Sequence, residues 1–310
     1  MSRPARAFLP DGRLHLQHGP VDLVIEAWGA REEVEAVYEQ AWARFQDVLD
    51  ALVAELPLLR APVGGAVPLA RGPVAHRMVA AVWPHREVFI TPMAAVAGAV
   101  ADEILAAAIA GRALEKAYVN DGGDIALHLE PGQHFDTGIV SDPRRPALDA
   151  SLRIEWRDPV RGIATSGWRG RSQSLGIADA VTVLASNAAA ADAAATLVAN
   201  AVNVAHPAIR RRPARELKLD SDLGDLPVTV DVGPLPRDAV EEALDAGLSV
   251  ARSLRERGLL AAAFLSLQGR TRVLAGGGEA AALQRFETPP IRSEMLNNNQ
   301  YVIHRSSPRL

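Results

Sequence analysis

Asp192, Thr196 and Asn200 follow one another at steps of four along the run from Ser186 to Asn200, which is otherwise built mostly of alanine. Alanine is the strongest helix former and Ser186 or Asn187 supplies a capping oxygen, so the run predicts a helix with little side-chain bulk. The spacing stacks the three polar groups along one face of that helix. Burying an unpaired charge is costly. A carboxylate on this face therefore requires solvent, a basic partner, or a cation shared with the Thr196 hydroxyl.

Two further segments carry candidate chemistry. Asn120-Asp121-Gly122-Gly123-Asp124 closes one expected strand and opens the next. Its paired glycines permit positive backbone dihedrals and close approach of a ligand to main-chain amides, with Asp124 placed to orient a ligand hydroxyl or amine. The plain alternative is a hairpin turn, for which Gly-Gly and Asp-Gly are strong signals. Ala164-Thr165-Ser166-Gly167-Trp168 ends another strand, where hydroxyls and freed amides are able to hold an anion; a Ser/Thr turn is the plain alternative. Ser166 lacks a Gly-x-Ser-x-Gly elbow and a nearby histidine, which argues against a nucleophile.

The elements that must position these groups can be read from periodicity. Residues 21–28 read as a strand, 31–56 as a helix with charges on one side, 58–73 as a Gly/Pro loop and 77–83 as a strand. Residues 91–110 form a second small-residue helix, with Thr91 as cap and Pro92 at the first helical position. Short strands are expected at 117–120, 124–129, 137–140, 152–156, 162–165 and 180–185. The triplet Arg210-Arg211-Arg212 reads as solvated surface. Residues 236–258 form a third helix, leading to a hairpin at 260–267 and 271–274. Long helices mixed with short strands, without regular alternation, predict an α+β fold. Neither an internal repeat nor a clear linker is visible, so residues 1–310 read as a single domain ending in a polar, proline-punctuated tail at 287–310.

Composition narrows the function classes. The 310 residues are nearly half hydrophobic and carry a net charge of −4, the pattern of a soluble globular protein. An acidic balance without a basic stripe argues against nucleic acid as the main partner. There are no cysteines, which excludes disulfides, thiolate metal sites and iron–sulfur clusters held by this chain. The eight histidines are scattered singly, without zinc-site spacing. The absence of a long apolar run and of a basic-then-apolar start predicts no membrane span and a cytoplasmic location.

Taken in order, the small-residue helix with Gly98, the Gly-Gly-Asp turn, the Thr-Ser-Gly strand end and the alanine helix resemble the ApbE superfamily, whose best-known members are magnesium-dependent FAD:protein FMN transferases. Asn120-Asp121-Gly122-Gly123-Asp124 is similar to the family's Asn-x-Gly-Gly-Asp, Thr165-Ser166-Gly167 to its Thr-Ser-Gly, and Ala191-Asp192-Ala193-Ala194-Ala195-Thr196 to its Ala-Asp-Ala-x-Ala-Thr. The resemblance is strongest over residues 21–203 and implies an ApbE-like fold of mixed and antiparallel sheets packed with long helices. It further implies magnesium held by Asp192, Thr196 and the Val96 carbonyl. Gly98, Asn120, Gly122, Gly123, Asp124, Thr165, Ser166 and Gly167 would line a site for FAD or a related flavin or adenine nucleotide.

Two departures qualify the resemblance. The lysine that the family carries in the earlier helix is Ala97 here, and the family's His-x-Ile-x-Asp-Pro-x-x-Gly loop is replaced by the run from Ser172 to Val183. Ser174-Leu175-Gly176-Ile177-Ala178-Asp179 looks like the ApbE-like sister family instead. Three functions stay open on this reading: a flavin- or nucleotide-binding protein with an accessory or catalytic role in flavin cofactor chemistry, an FMN transferase acting on a threonine of a partner flavoprotein, and an interaction protein with a vestigial site. The alanine-rich helices and Asn297-Asn298-Asn299-Gln300 are the segments that could contribute to a homodimer.

Overall fold

A computed structural model describes residues 3–139, 150–170, 172–275 and 303–304. The chain opens with strands β1 (Ala5–Phe8), β2 (Leu14–His18) and β3 (Val21–Gly29), followed by helices α1 (Arg31–Phe45), α2 (Val48–Ala54), α3 (Leu56–Leu59) and α4 (Pro73–Val82). Two short 3-10 turns, Trp83–His85 and Pro92–Ala95, lead into α5 (Val96–Ala108). Strands β4 (Leu114–Asp121), β5 (Asp124–Leu129), β6 (His134–Ile139), β7 (Ala150–Glu155), β8 (Gly162–Ser166) and β9 (Ala180–Ala185) precede α6 (Ala188–Ala201). The remainder is β10 (Ile209–Pro213), α7 (Ala214–Leu217), β11 (Pro227–Val232), α8 (Arg237–Glu256), β12 (Ala262–Leu267), β13 (Arg270–Leu274) and β14 (Ile303–His304). This is an α+β fold with antiparallel strand pairing.

The chain divides into two compact units. The first comprises Met1–Gln133, Val160–Ala164 and Ala185–Ala193. Within it, strands run in the order β1-β2-β3-β4-β5-β8. Leu14, Leu16, Leu23 and Ile25 are almost fully buried. Along β2 they alternate with His15 and Gln17, the period-two pattern that turns one face of a sheet inward, whereas β3 is buried continuously from Leu23 to Ala27, as a strand covered on both faces is. Helix α1 packs against these strands through Val37, Ala41 and Phe45, spaced at four.

The second unit comprises His134–Pro159, Thr165–Leu184 and Ala194–Leu310. It holds β9-β12-β13, the pair β10-β11, and β14-β6-β7. Helix α8 lays Val240, Ala243, Leu244, Gly247, Leu248, Ala251 and Leu254 against β12 and β13. Gly247 is there because a Cβ would come within 2.9 Å of the Leu265 side chain and closer still to Val202.

Three expectations change. Residues 77–83 are not a strand: they belong to α4, which ends at Val82, and to the 3-10 turn after it. Pro73 at the first helical position starts this helix, and Val74, Ala75, Met78, Val79 and Val82 form a buried face of helical period. The helix expected over 31–56 is broken into α1, α2 and the start of α3. Arg44 donates to Asp47 at 2.5 Å where α1 stops, and aspartate is a weak helix former. The helix expected over 91–110 opens as a 3-10 turn, and Thr91 makes no side-chain capping bond. The segment Asn297-Asn298-Asn299-Gln300 lies outside the described residues, as does all of the 287–310 tail except Ile303–His304, which pairs with β6. No helix among the described residues is long and apolar enough to cross a membrane.

Candidate functional site

Helix α6 starts where backbone meets backbone. A Cβ on Gly98 would collide with the carbonyl of Ala188 and lie 2.7 Å from the Ala189 nitrogen. A Cβ on Gly162 would likewise strike Asn187 and Ala188. The first turn of α6 is thus pressed against α5 and β8 without side chains between them, which the alanines and glycines of this region permit. Ala188, Ala191, Ala193, Ala194 and Ala195 are completely buried.

That close approach lets each helix cap the other. The Gly98 amide donates to Asp192 Oδ2 at 3.1 Å, and the Ala97 amide also bonds this carboxylate, so Asp192 from α6 satisfies the first turn of α5. In return Asp102 from α5 accepts from Ala188 N–H at 3.0 Å and Ala189 N–H at 2.9 Å, the first two orphan amides of α6. Asn187 Oδ1 takes the third, from Ala190, at 2.8 Å, as expected of one of the two candidate caps. Asp102 had no signal in the sequence, because a cap delivered from another helix leaves no local spacing. Replacing Asp102 with alanine strands two amides and is expected to cost about 1–2 kcal/mol, read as a lower urea midpoint at unchanged slope.

Electrostatics single out Asp192. Part of its side chain stays accessible, yet protein encloses the carboxylate closely enough that burial pushes its pKa up to about 7. The Gly98 and Ala97 amides pull it down, while the negative charges of Asp121 and Asp102 push it further up. The Asp102 carboxyl is also raised, by burial against the pull of its two amides and of Arg77. No lysine, arginine or histidine pairs with Asp192 among the described residues, which settles one alternative left open by the sequence. Those residues contain no group of three or more His, Cys, Asp or Glu side chains arranged for a metal.

The Gly-Gly-Asp segment adopts the hairpin geometry. Gly122 and Gly123 have φ of 60° and 114°, as a two-residue turn with positive dihedrals at both central positions requires. Asn120 Oδ1 accepts the Gly123 amide at 2.8 Å, and Asp121 pairs across the turn with Asp124. All three acidic or amide side chains are buried. Asp121 belongs here too, because its charge acts on Asp192, a relation that its local sequence does not signal. Val96 is the first residue of α5, and the bonds that reach Asp192 come from the amides after it.

In the second unit, Thr165 Oγ1 lies 2.7 Å from Thr182 Oγ1, a hydroxyl pair between the end of β8 and the middle of β9. Gly167 has a packing reason for its identity: a Cβ would sit 2.5 Å from the Asp179 carbonyl oxygen. Trp168 N–H donates to Ala178 O at 3.0 Å, fixing the same approach, and Ser166 is half-buried beside it. Asp179 is held by Arg169 Nε and the Gln268 amide, each at 2.6 Å. Asn200, the third member of the polar stripe on α6, accepts the Leu175 amide at 2.9 Å, so its role is to hold the turn at 174–176. Thr196, between Asp192 and Asn200 on that helix, is half-buried.

The architecture and the reciprocally capped helix pair define an α+β protein of antiparallel sheets with a closely enclosed, amide-anchored carboxylate. The chain belongs to the family described as AbpE bacteria, whose model matches residues 6–273. Among curated relatives, the UPF0280 protein of Methanosarcina acetivorans is 36% identical over 121 residues, covering 39% of this chain and 46% of that protein. The UPF0280 proteins of Methanopyrus kandleri and Methanocella arvoryzae are 38% identical over 140 residues and 36% over 165. These matches cover 44% and 51% of this chain and 53% and 63% of those proteins. The chain thus spans about half the length of the first curated relatives it matches. Among solved structures, the ApbE protein of Thermotoga maritima is 14% identical with a TM-score of 0.39, over 87% of this chain and 96% of that one. The flavin transferase ApbE of Vibrio cholerae is 11% identical with a TM-score of 0.33, over 88% and 97%.

Proposed function

We propose that this protein binds a flavin or related adenine nucleotide together with magnesium and serves flavin cofactor chemistry in a catalytic or accessory role. The observation that carries the reading is the Asp192 carboxylate, enclosed by protein, anchored by two amides and supplied with no cationic partner among the described residues. An ionised carboxylate offers about four acceptor positions, so the amide bonds leave capacity for a hard cation. Thr196, one helical turn on, supplies the neutral oxygen expected beside it, and the Val96 carbonyl would complete the protein's share through its second lone pair. When bound, magnesium would polarise a nucleotide pyrophosphate as a Lewis acid. The protein's own part is positional: the amides of Ala97 and Gly98 fix the carboxylate, while Asn120, Gly122, Gly123 and Asp124 supply polar groups for a nucleotide.

Thermal melting of the purified protein tests this. FAD plus magnesium is expected to raise the melting temperature by several degrees, since ligand at a hundredfold over its Kd contributes about 2.7 kcal/mol. The Asp192→Ala variant should lose most of that rise. No shift with any flavin or adenine nucleotide would sink the reading. Transfer of FMN to a flavoprotein threonine is the narrower form, supported by the Ala-Asp-Ala-x-Ala-Thr segment and opposed by Ala97 and the absent histidine loop. It requires a mass increase on a threonine-bearing acceptor incubated with FAD, and an unchanged mass counts against it.

A further inference from the structure

The Gly/Pro loop between α3 and α4 is tied down at both ends and bare in the middle. At its start the Val63 amide donates to Ile90 O at 2.9 Å. At its end both oxygens of Glu55 accept backbone amides, those of Arg71 and Gly72, at 2.7 Å each. Helix α4, which follows the loop, packs against the 3-10 turn Pro92–Ala95, which follows Ile90, so the loop and the segment ending at Ile90 share one base. Between the ties, Gly64-Gly65-Ala66-Val67-Pro68-Leu69 carries no charged or hydrogen-bonding side chain. A Cβ on Gly64 or Gly65 would meet nothing within 4 Å, so the loop stands clear of the surface there.

Apolar exposure and positive charge both concentrate here. Nine large apolar side chains are exposed among the described residues, and four of them, Val67, Leu69, Val88 and Phe89, belong to this loop and the adjoining segment. Leu69 is 87% exposed. Apolar residues scattered singly over a surface need no explanation, but four rising from one base mark a contact surface. Between Glu55 and Asp102 the sequence holds Arg60, Arg71, Arg77 and Arg86 against a single carboxylate, Glu87, although the whole chain has a net charge of −4. Arg77 is engaged by Glu103 at 2.9 Å. Arg71 and Arg86 are exposed, two residues from Leu69 and three from Phe89, which puts them within about 7 and 11 Å along the backbone.

A stable protein interface buries about 800 Å² on each side, more than four side chains on a loop tip present, so a second copy of the chain is poorly matched. A bilayer fits better, because apolar tips enter among the acyl chains while flanking arginines reach the lipid phosphates. We propose that Val67, Leu69, Val88 and Phe89 insert into an anionic membrane surface, with Arg71 and Arg86 held at its headgroups. The contact lies wholly in the first unit. It goes beyond the flavin reading, since it involves neither Asp192 nor a nucleotide.

Co-sedimentation of the full chain with vesicles tests it. The protein should bind phosphatidylcholine vesicles that contain phosphatidylglycerol, bind phosphatidylcholine alone about tenfold more weakly, and be released as salt rises. Leu69→Ser combined with Phe89→Ser should weaken binding about tenfold, with circular dichroism melts reporting that the variant is folded. Arg71→Gln combined with Arg86→Gln should remove the preference for the anionic lipid. The chain has no cysteine, so Leu69→Cys gives a single site for an environment-sensitive fluorophore, whose emission should move to the blue when anionic vesicles are added. Wild-type protein that does not bind anionic vesicles, a folded serine variant that binds like wild type, or a label at position 69 whose emission stays put would overturn the proposal. So would self-association of the full chain that the serine variant abolishes without any vesicle binding, which assigns the tip to a second copy. If the serine variant does not fold, the labelled protein decides alone.

Discussion

Gly98→Ala is expected to destabilise the protein by about 3 kcal/mol or more, although helix propensity alone favours alanine over glycine by about 1 kcal/mol. The added methyl would meet the Ala188 carbonyl and the Ala189 nitrogen, which are backbone atoms that no rotamer change can move aside. Relief therefore requires α5 to withdraw from α6. That withdrawal lengthens the Gly98–Asp192 bond and the two Asp102 bonds to Ala188 and Ala189, all of which cross the same seam. Urea unfolding followed by circular dichroism should show a lower midpoint with unchanged slope. An alanine variant as stable as wild type, or more stable, would mean the helices do not meet at this glycine.

Asp192→Asn is expected to stabilise the protein at neutral pH when no divalent cation is added. The sign follows from the raised pKa: the unfolded carboxyl titrates near the ordinary value of about 3.9, the folded one near 7, so the native state holds its proton more tightly. Stability from this group is fully present below about pH 4, falls as the pH climbs, and is lost by the time the folded carboxyl ionises near 7. The loss amounts to roughly 4 kcal/mol at most, because solvent reaching the accessible part of the side chain screens it. Asparagine stays neutral throughout and its carbonyl still accepts the Gly98 amide. Melting temperatures of the two proteins should coincide near pH 4 and diverge up to pH 7. Parallel profiles would show that Asp192 titrates normally.

Much of the positioning framework was legible because local signals and burial agree. Strands β5 and β9 fall between the turn-forming residues that bounded them, and α6 follows from alanine and Asn187. The apolar run from Met78 to Trp83 misled, since a short buried helix and a buried strand look alike without period; Pro73, five residues upstream, was the overlooked signal. β1 and β2, of four and five residues, are too short for their pattern to stand out in the sequence. At the candidate site, the sequence supplied Asp192 and its helix face but not Asp102 or Asp121, whose relevance depends on which segments the fold brings together. The Arg210–Arg212 triplet also conceals a difference, since Arg211 turns inward to Asn203. Its neighbours find partners four and twenty-one residues away, at Glu216 and Asp231, and only a shift of the β10-β11 ladder at Val230 separates it from them.

The mutual capping of α5 and α6 has a consequence for how this region opens. A helix end ordinarily frays by itself, its first amides exchanging with solvent at little free-energy cost. Here, unwinding the first turn of α6 releases Ala188 and Ala189 from Asp102, and displacing Asp192 strips Ala97 and Gly98 of their acceptor. Neither end can fray without exposing the other. The two N-termini, some ninety positions apart in sequence, therefore behave as one cooperative opening unit in which four amides share a single protection free energy.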